Sequence, residues 1–178
     1  MLSINRYALK EWAVVCEALA TGQQTLLLRK GGIAEQSGRF QVEQPEFWLF
    51  PTRFHQSDEE LTPHAAPLLE VARQAQPPDG VVRLSLYAAV GAVRYLDEEA
   101  LLSGLVRQHI LSHQTTLDRF HYRKPGLFVL LMRIWKRPQP IEIPDLPHYA
   151  GCHSWVELPA ELATEGLQPV LSDAEFDA

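Results

Sequence analysis

Three groups of residues have types and spacings that could do chemistry. The first is Leu26-Leu27-Leu28-Arg29-Lys30-Gly31-Gly32-Ile33, where an apolar run passes directly into two cations and two glycines. Such a run ends a strand at a turn. Glycine permits the positive φ of an anion-binding nest, so Arg29, Lys30, Gly31 and Gly32 could cradle a phosphate. The stretch lacks the spacing of a P-loop or a dinucleotide fingerprint, and a plain hairpin turn with exposed cations is the competing reading. Glu35 could hold the loop by an ion pair or serve as an acid or base. The second group is Thr52, His55 and Gln56, just past Pro51. There His55 could transfer a proton and Gln56 could read a base edge or an amide, although a simple capped turn uses the same residue types. The third is His109 and His113, whose four-residue spacing places two rings on one face of a helix, as metal ligation requires. Ile110-Leu111-Ser112 between them lacks the glutamate of the zinc-protease motif, and the pair continues a Leu101 and Leu105 stripe, so packed histidines are favoured over ligands and no metal or other cofactor is expected.

Other candidates are weaker. A metal-dependent nuclease needs gathered carboxylates with a nearby lysine, and Leu28 stands where an acid before Arg29-Lys30 is expected. Cys152 beside His153 has no orienting acid that the sequence can place. Trp12, Trp48, Trp135 and Trp155 read as core and rim anchors before stacking platforms.

The elements that would position these groups are mixed. Ala8, Trp12, Val15, Cys16 and Leu19 recur at helical spacing and predict a first amphipathic helix stopped at Gly22. Gln24–Lys30 reads as a strand, 40–42 as its hairpin partner, and Phe47–Phe50 as another strand. Thr62-Pro63 opens a helix that ends at Pro77-Pro78-Asp79-Gly80. Val81–Tyr95 alternates as a long strand with a bend or bulge at Gly91. Asp97 is expected to cap a helix carrying Glu98, Glu99 and both histidines, and Leu127–Lys136 to form a central strand. A proline-spaced segment, 138–147, follows.

At 178 residues, 46% hydrophobic and 21% charged, the chain is long enough to bury one core. The expected organisation is a single α+β domain over 1–160 and an acidic, frayed tail over 161–178. Two distant cysteines make no disulfide framework, and no apolar run resembles a signal peptide or membrane span, so a cytoplasmic protein without a membrane partner is expected. A net charge of −6 excludes a generally cationic surface. Yet 107–137 holds seven Lys and Arg residues against one acid, Asp118, and Arg119 and Arg123 could extend a positive patch from Arg29 and Lys30.

Tyr7-Ala8-Leu9-Lys10-Glu11-Trp12, Leu28–Ile33 with Glu35, Phe50-Pro51-Thr52 with His55-Gln56, and Tyr149, Gly151-Cys152 and Ser154-Trp155 together resemble an uncharacterised bacterial family, the domain of unknown function numbered 1802. The resemblance spans Tyr7 to Leu158 and implies no particular reaction. By fold-level analogy the element order is similar to PUA-like pseudo-barrels, small strongly bent mixed or antiparallel sheets with flanking helices, many of which bind RNA. The leading expectation is therefore a module for RNA, DNA or a nucleotide-like phosphate ligand. Its contacts would be Arg29, Lys30, Gly31, Gly32, Thr52, His55, Gln56, Arg119 and Arg123. An enzyme acting on a phosphorylated or nucleic-acid substrate through Glu35 and His55, and a protein-interaction subunit using 138–147, are the alternatives.

Overall fold

The structure is a computed structural model that describes residues 1–30, 44–53 and 56–177. The hairpin partner expected at 40–42 lies outside the described residues. The chain opens with a strand, β1 (Ile4–Trp12), and turns into a helix, α1 (Ala13–Ala20), only afterwards. This corrects the expected helix over Ala8–Leu19. An i, i+4 spacing is an even number, so Ala8 and Trp12 satisfy the two-residue period of a strand as readily as a helical stripe. Burial on both faces settles the matter, because Ala8 and Leu9 are both fully buried.

After β2 (Leu26–Arg29) come β3 (Glu46–Thr52), α2 (Ala66–Gln74), β4 (Val81–Leu96), α3 (His113–His121), β5 (Leu127–Pro144), β6 (Trp155–Ala163), β7 (Gln168–Pro169) and a short α4 (Asp173–Phe176). The strands form one mixed seven-stranded sheet in the order β2-β5-β4-β3-β1-β6, with β7 on β5. Among the described strands only β1 and β3 run parallel, Ala8 opposite Trp48 through Trp12 opposite Thr52. Successive side chains of this pair enter two different cores. Leu9, Phe47 and Leu49 join α1, α2 and the aliphatic residues of β2, while Ala8, Trp48 and Phe50 pack with Val82, Leu84, Ile143 and Tyr149.

The long β4–β5 ribbon shifts register between Val90 and Ala92, where a bulge was expected at Gly91. The proline-spaced segment is strand through Pro144, which sits opposite Val81. Its Pro138 and Pro140 fall in the second register shift, where a missing N–H breaks no ladder bond. The helix expected from Asp97 to His113 is replaced by a 3₁₀ segment over Glu99–Leu105 and a separate α3, because Ser112 accepts from Thr115 N (3.2 Å) and starts the helix anew. The segment 161–177, expected to fray, carries the end of β6, β7 and α4. The Ser172–Glu175 capping box and the Arg133–Asp173 ion pair hold it.

The sheet curls strongly. Arg29 ends β2 at one edge of the sheet, yet its Nη1 donates to Lys10 O of β1 (3.1 Å), although β5, β4 and β3 lie between those strands in the order. Among the described residues no helix is long and apolar enough to cross a membrane.

Candidate functional site

Parallel pairing brings the C-terminal ends of β1 and β3 to one place, and curling brings the end of β2 to meet them. Thr52 Oγ1 donates to Glu11 O (3.1 Å), and Gln56 Oε1 accepts from Val14 N (3.2 Å), satisfying one of the open N–H groups at the start of α1. The Glu11 carboxylate is buried, and Arg29 Nη1 donates to its Oε2 at 3.0 Å while Oε1 accepts from Trp12 N (2.9 Å). Arg119 reaches in from α3. Its Nη1 donates to Leu28 O (3.2 Å), and its guanidinium lies over the Trp12 ring at 4.5 Å. Burial lowers the Arg119 pKa, Glu11 opposes that shift, Arg29 adds to it, and Glu60 again opposes it. An arginine side chain starts so far on the basic side that the group stays charged. Two guanidiniums thus converge on one buried carboxylate and one indole.

His109 belongs to the same side. It is buried, and its Nδ1 has no hydrogen-bond partner among the described residues. Burial first, and Arg119 second, push its pKa down to about 4, so the ring is neutral at pH 7. His113 is exposed at the start of α3. The two histidines therefore share no helix face, and among the described residues no three His, Cys, Asp or Glu side chains gather as a metal site.

Lys30 takes another role. Its ammonium donates to Phe120 O (2.7 Å), Gly126 O (2.7 Å) and Lys124 O, which closes the C-terminal end of α3 with a cation where the helix dipole is negative. Arg123 follows that end in the left-handed region, at φ 62°, a conformation that costs about 1–2 kcal/mol away from glycine. Gly126 is required, since at φ 130° an added Cβ would lie 1.9 Å from the Tyr95 hydroxyl. The turn so fixed exposes Tyr122, Arg123 and Lys124, with the Arg123 guanidinium 5.1 Å from the Tyr122 ring centre.

Of the residues singled out in the sequence, the structure gathers Arg29, Thr52, Gln56 and Arg119 around Glu11. Lys30 is bound to protein carbonyls, and Arg123 lies on the neighbouring turn. Gly31, Gly32, Glu35 and His55 lie outside the described residues. Glu11, Trp12 and Tyr122 were missed. For Glu11 the signal was its place beside Lys10, a pair that reads as the polar side of a helix until the strand period is recognised.

Lys10 serves the opposite face of β1. Its ammonium donates to Gly151 O (3.1 Å) and Tyr149 O and lies 3.4 Å from His153 Nε2. This pins the loop that carries the exposed Cys152. His153 is thereby engaged with a lysine, and no described contact pairs it with Cys152 as a nucleophile.

A family model described as a domain of unknown function (DUF1802) matches residues 8–178. The chain belongs to this family. No curated protein matches this DUF1802 chain. Among solved structures, a serine-to-alanine variant of ZmASCH from Zymomonas mobilis is similar with a TM-score of 0.51 and 17% identity, over 89% of this chain and 91% of that one. A tyrosine-to-phenylalanine variant of ZmASCH, at 0.49 and 17%, and another ZmASCH structure, at 0.47 and 18%, each cover 85% of this chain. At that identity the likeness speaks for fold alone. The DUF1802 chain is an α+β domain of the PUA-like type expected from its sequence.

Proposed function

We propose that this domain binds nucleic acid, with a preference for single strands, through the end of α3 and the adjoining strand ends. The supporting observation is the turn Tyr122-Arg123-Lys124. An exposed aromatic ring and two cations stand together on it, and neither cation has an ion-pair partner among the described residues. A ring offers a stacking face to any base, and cations near it neutralise the backbone, the combination used to hold single strands. Lys30 positions this turn and contacts no ligand itself. Arg119, held against Trp12, adds positive charge behind the turn, and Gln56 and Thr52 line the strand ends beside it. Arg29 is the least available of the group, because Glu11 already holds it.

Fluorescence anisotropy with labelled single-stranded RNA, single-stranded DNA and duplex DNA across a salt series tests this reading. Binding that weakens with salt, favours single strands and is lost in an Arg123→Ala/Lys124→Ala/Tyr122→Ala variant supports it. No binding of any probe at low salt overturns it, as does binding that the triple variant retains in full.

A further inference from the structure

The other face of β1 carries a second feature that the nucleic-acid reading leaves unused. A groove of about 430 Å³ lies between Arg6 on β1, His148 and His153 on the loop before β6, and Trp155, Glu157 and Pro159 in the first half of β6. We propose that this groove is a binding site for a phosphate monoester, with Arg6, His148 and His153 holding the phosphate and Trp155 and Pro159 bordering the organic part.

The argument rests on which donors are already committed. Lys10 is an ammonium and can only donate, so its approach to His153 Nε2 requires that nitrogen to be the acceptor. The neutral ring then carries its proton on Nδ1, and that N–H has no partner among the described residues. His148 is exposed and makes no hydrogen bond among the described residues. Its ring only lies edge-on to Tyr149, at 4.3 Å. Arg6 places Nε 3.1 Å from Glu157 and Nη2 3.4 Å from Leu158 O, which leaves Nη1 unused among the described residues. Three donors, one from β1 and two from the loop before β6, therefore border one cavity, an arrangement suited to the several oxygens of a phosphate. The volume falls within the roughly 300–1,000 Å³ of small-molecule sites, room for a nucleoside monophosphate and far more than a bare phosphate needs.

The charge pattern gives the site a pH dependence. Among the described residues, Arg6 and Lys10 from β1, Glu157 from β6, and Asp145, His148 and Cys152 from the loop are charged or titratable groups on the His153 side of the strand. Burial, Lys10 and His148, in that order, depress the His153 pKa, and a bound phosphate would oppose the last two effects. Anion binding favours the charged ring, so affinity rises as pH falls from 8 to 6.5, a span over which the phosphate itself, with a second pKa of about 6, keeps most of its double charge.

NMR of the seven histidine imidazoles during titration tests the proposal. The probes are adenosine 5′-monophosphate, adenosine, and a short RNA with or without a 5′-phosphate. The expected result is a shift confined to His148 and His153 with the monophosphate and not with adenosine. Affinity should be at least threefold tighter at pH 6.5 than at pH 8, and at least tenfold weaker in both His148→Asn and Arg6→Gln. His148 is exposed, so its variant keeps the fold even if Arg6→Gln does not. A 5′-phosphorylated RNA that binds more tightly than the monophosphate identifies the end of a nucleic acid as the source, and equal affinities identify a free ester. Absence of shifts at millimolar monophosphate overturns the proposal, as do shifts that survive His148→Asn unchanged. The Arg123→Ala/Lys124→Ala/Tyr122→Ala variant should bind the monophosphate normally, so this site and the strand-end reading can fail separately.

Discussion

Lys10 and Glu11 are neighbours on one strand and have opposite surroundings. Glu11 is sealed among Arg29, Trp12 and Thr52, and the Arg29 side chain is only 14% exposed. Lys10 is half-buried and ties down a loop whose Cys152 stays open to solvent. Strand geometry makes the separation inevitable, since successive residues point to opposite faces. What differs is the cost of disturbing each. A buried charge that loses its partner stays desolvated, whereas a half-exposed one recovers water. The Glu11 side should therefore behave as architecture that supports a surface, and the Lys10 side as an adjustable rim.

The sharpest test of that contrast is Glu11→Gln, which leaves Arg29 and Arg119 facing each other without a carboxylate. A loss of about 3 kcal/mol or more in urea unfolding is expected, in the range measured for broken buried pairs. A loss below about 1 kcal/mol would mean that solvent reaches this cluster, and the contrast would collapse.

His109 offers a test by pH. Its folded pKa of about 4 lies below the unfolded value near 6.5, so the unfolded chain binds the extra proton first. The stability tied to its neutral form is fully present above pH 6.5 and is lost progressively as pH falls toward 4. The loss amounts to about 3 kcal/mol, at roughly 1.4 kcal/mol per pH unit across the shift. Unfolding measured from pH 7.5 to 4 should show a flatter profile in His109→Asn than in the parent. Equal slopes would show that His109 is not held neutral.

Lys10→Met should cost less, about 1–2 kcal/mol, the worth of a partly exposed charged group donating to carbonyls. Hydrogen exchange should quicken in 149–154 and stay unchanged around Glu11. A cost equal to that of Glu11→Gln would erase the distinction between the two faces. Smallest in stability is Arg123→Ala/Lys124→Ala, within about 0.5 kcal/mol of the parent because both side chains are exposed. Its effect should appear instead in the salt dependence of single-strand binding, where two lost phosphate contacts reduce the log–log slope by about 1.4.

Much of the β framework was legible. Phe47–Phe50, the long alternation ending at Tyr95 and the apolar run from Leu127 each announce a strand, and the bulge beside Gly91 follows from a run too long to stay straight. The first element was misread because five apolar residues straddle a strand and a helix with no break in spacing, the boundary falling between Trp12 and Ala13. Of the candidate site, Arg29, Thr52, Gln56 and Arg119 were named before their convergence could be seen. Glu11 was hidden by the same misreading, and Lys30 looked like a ligand-holding cation because sequence cannot show three carbonyls waiting at the end of a distant helix.

By itself the sequence determined the chemical inventory and the local elements. It supplied cations after a strand, a basic stretch from Arg107 to Arg137, a motif set specific to one family, and a composition that calls for a packed α+β core. Only the tertiary structure decided how those groups are used. Curling of the sheet carries Arg29 across to β1, parallel pairing aligns Trp12 with Thr52, and the end of α3 meets Lys30. Each of these is a contact between residues far apart in the chain, fixed by burial and by the need of buried polar groups for partners, and neither condition exists until the whole domain has closed.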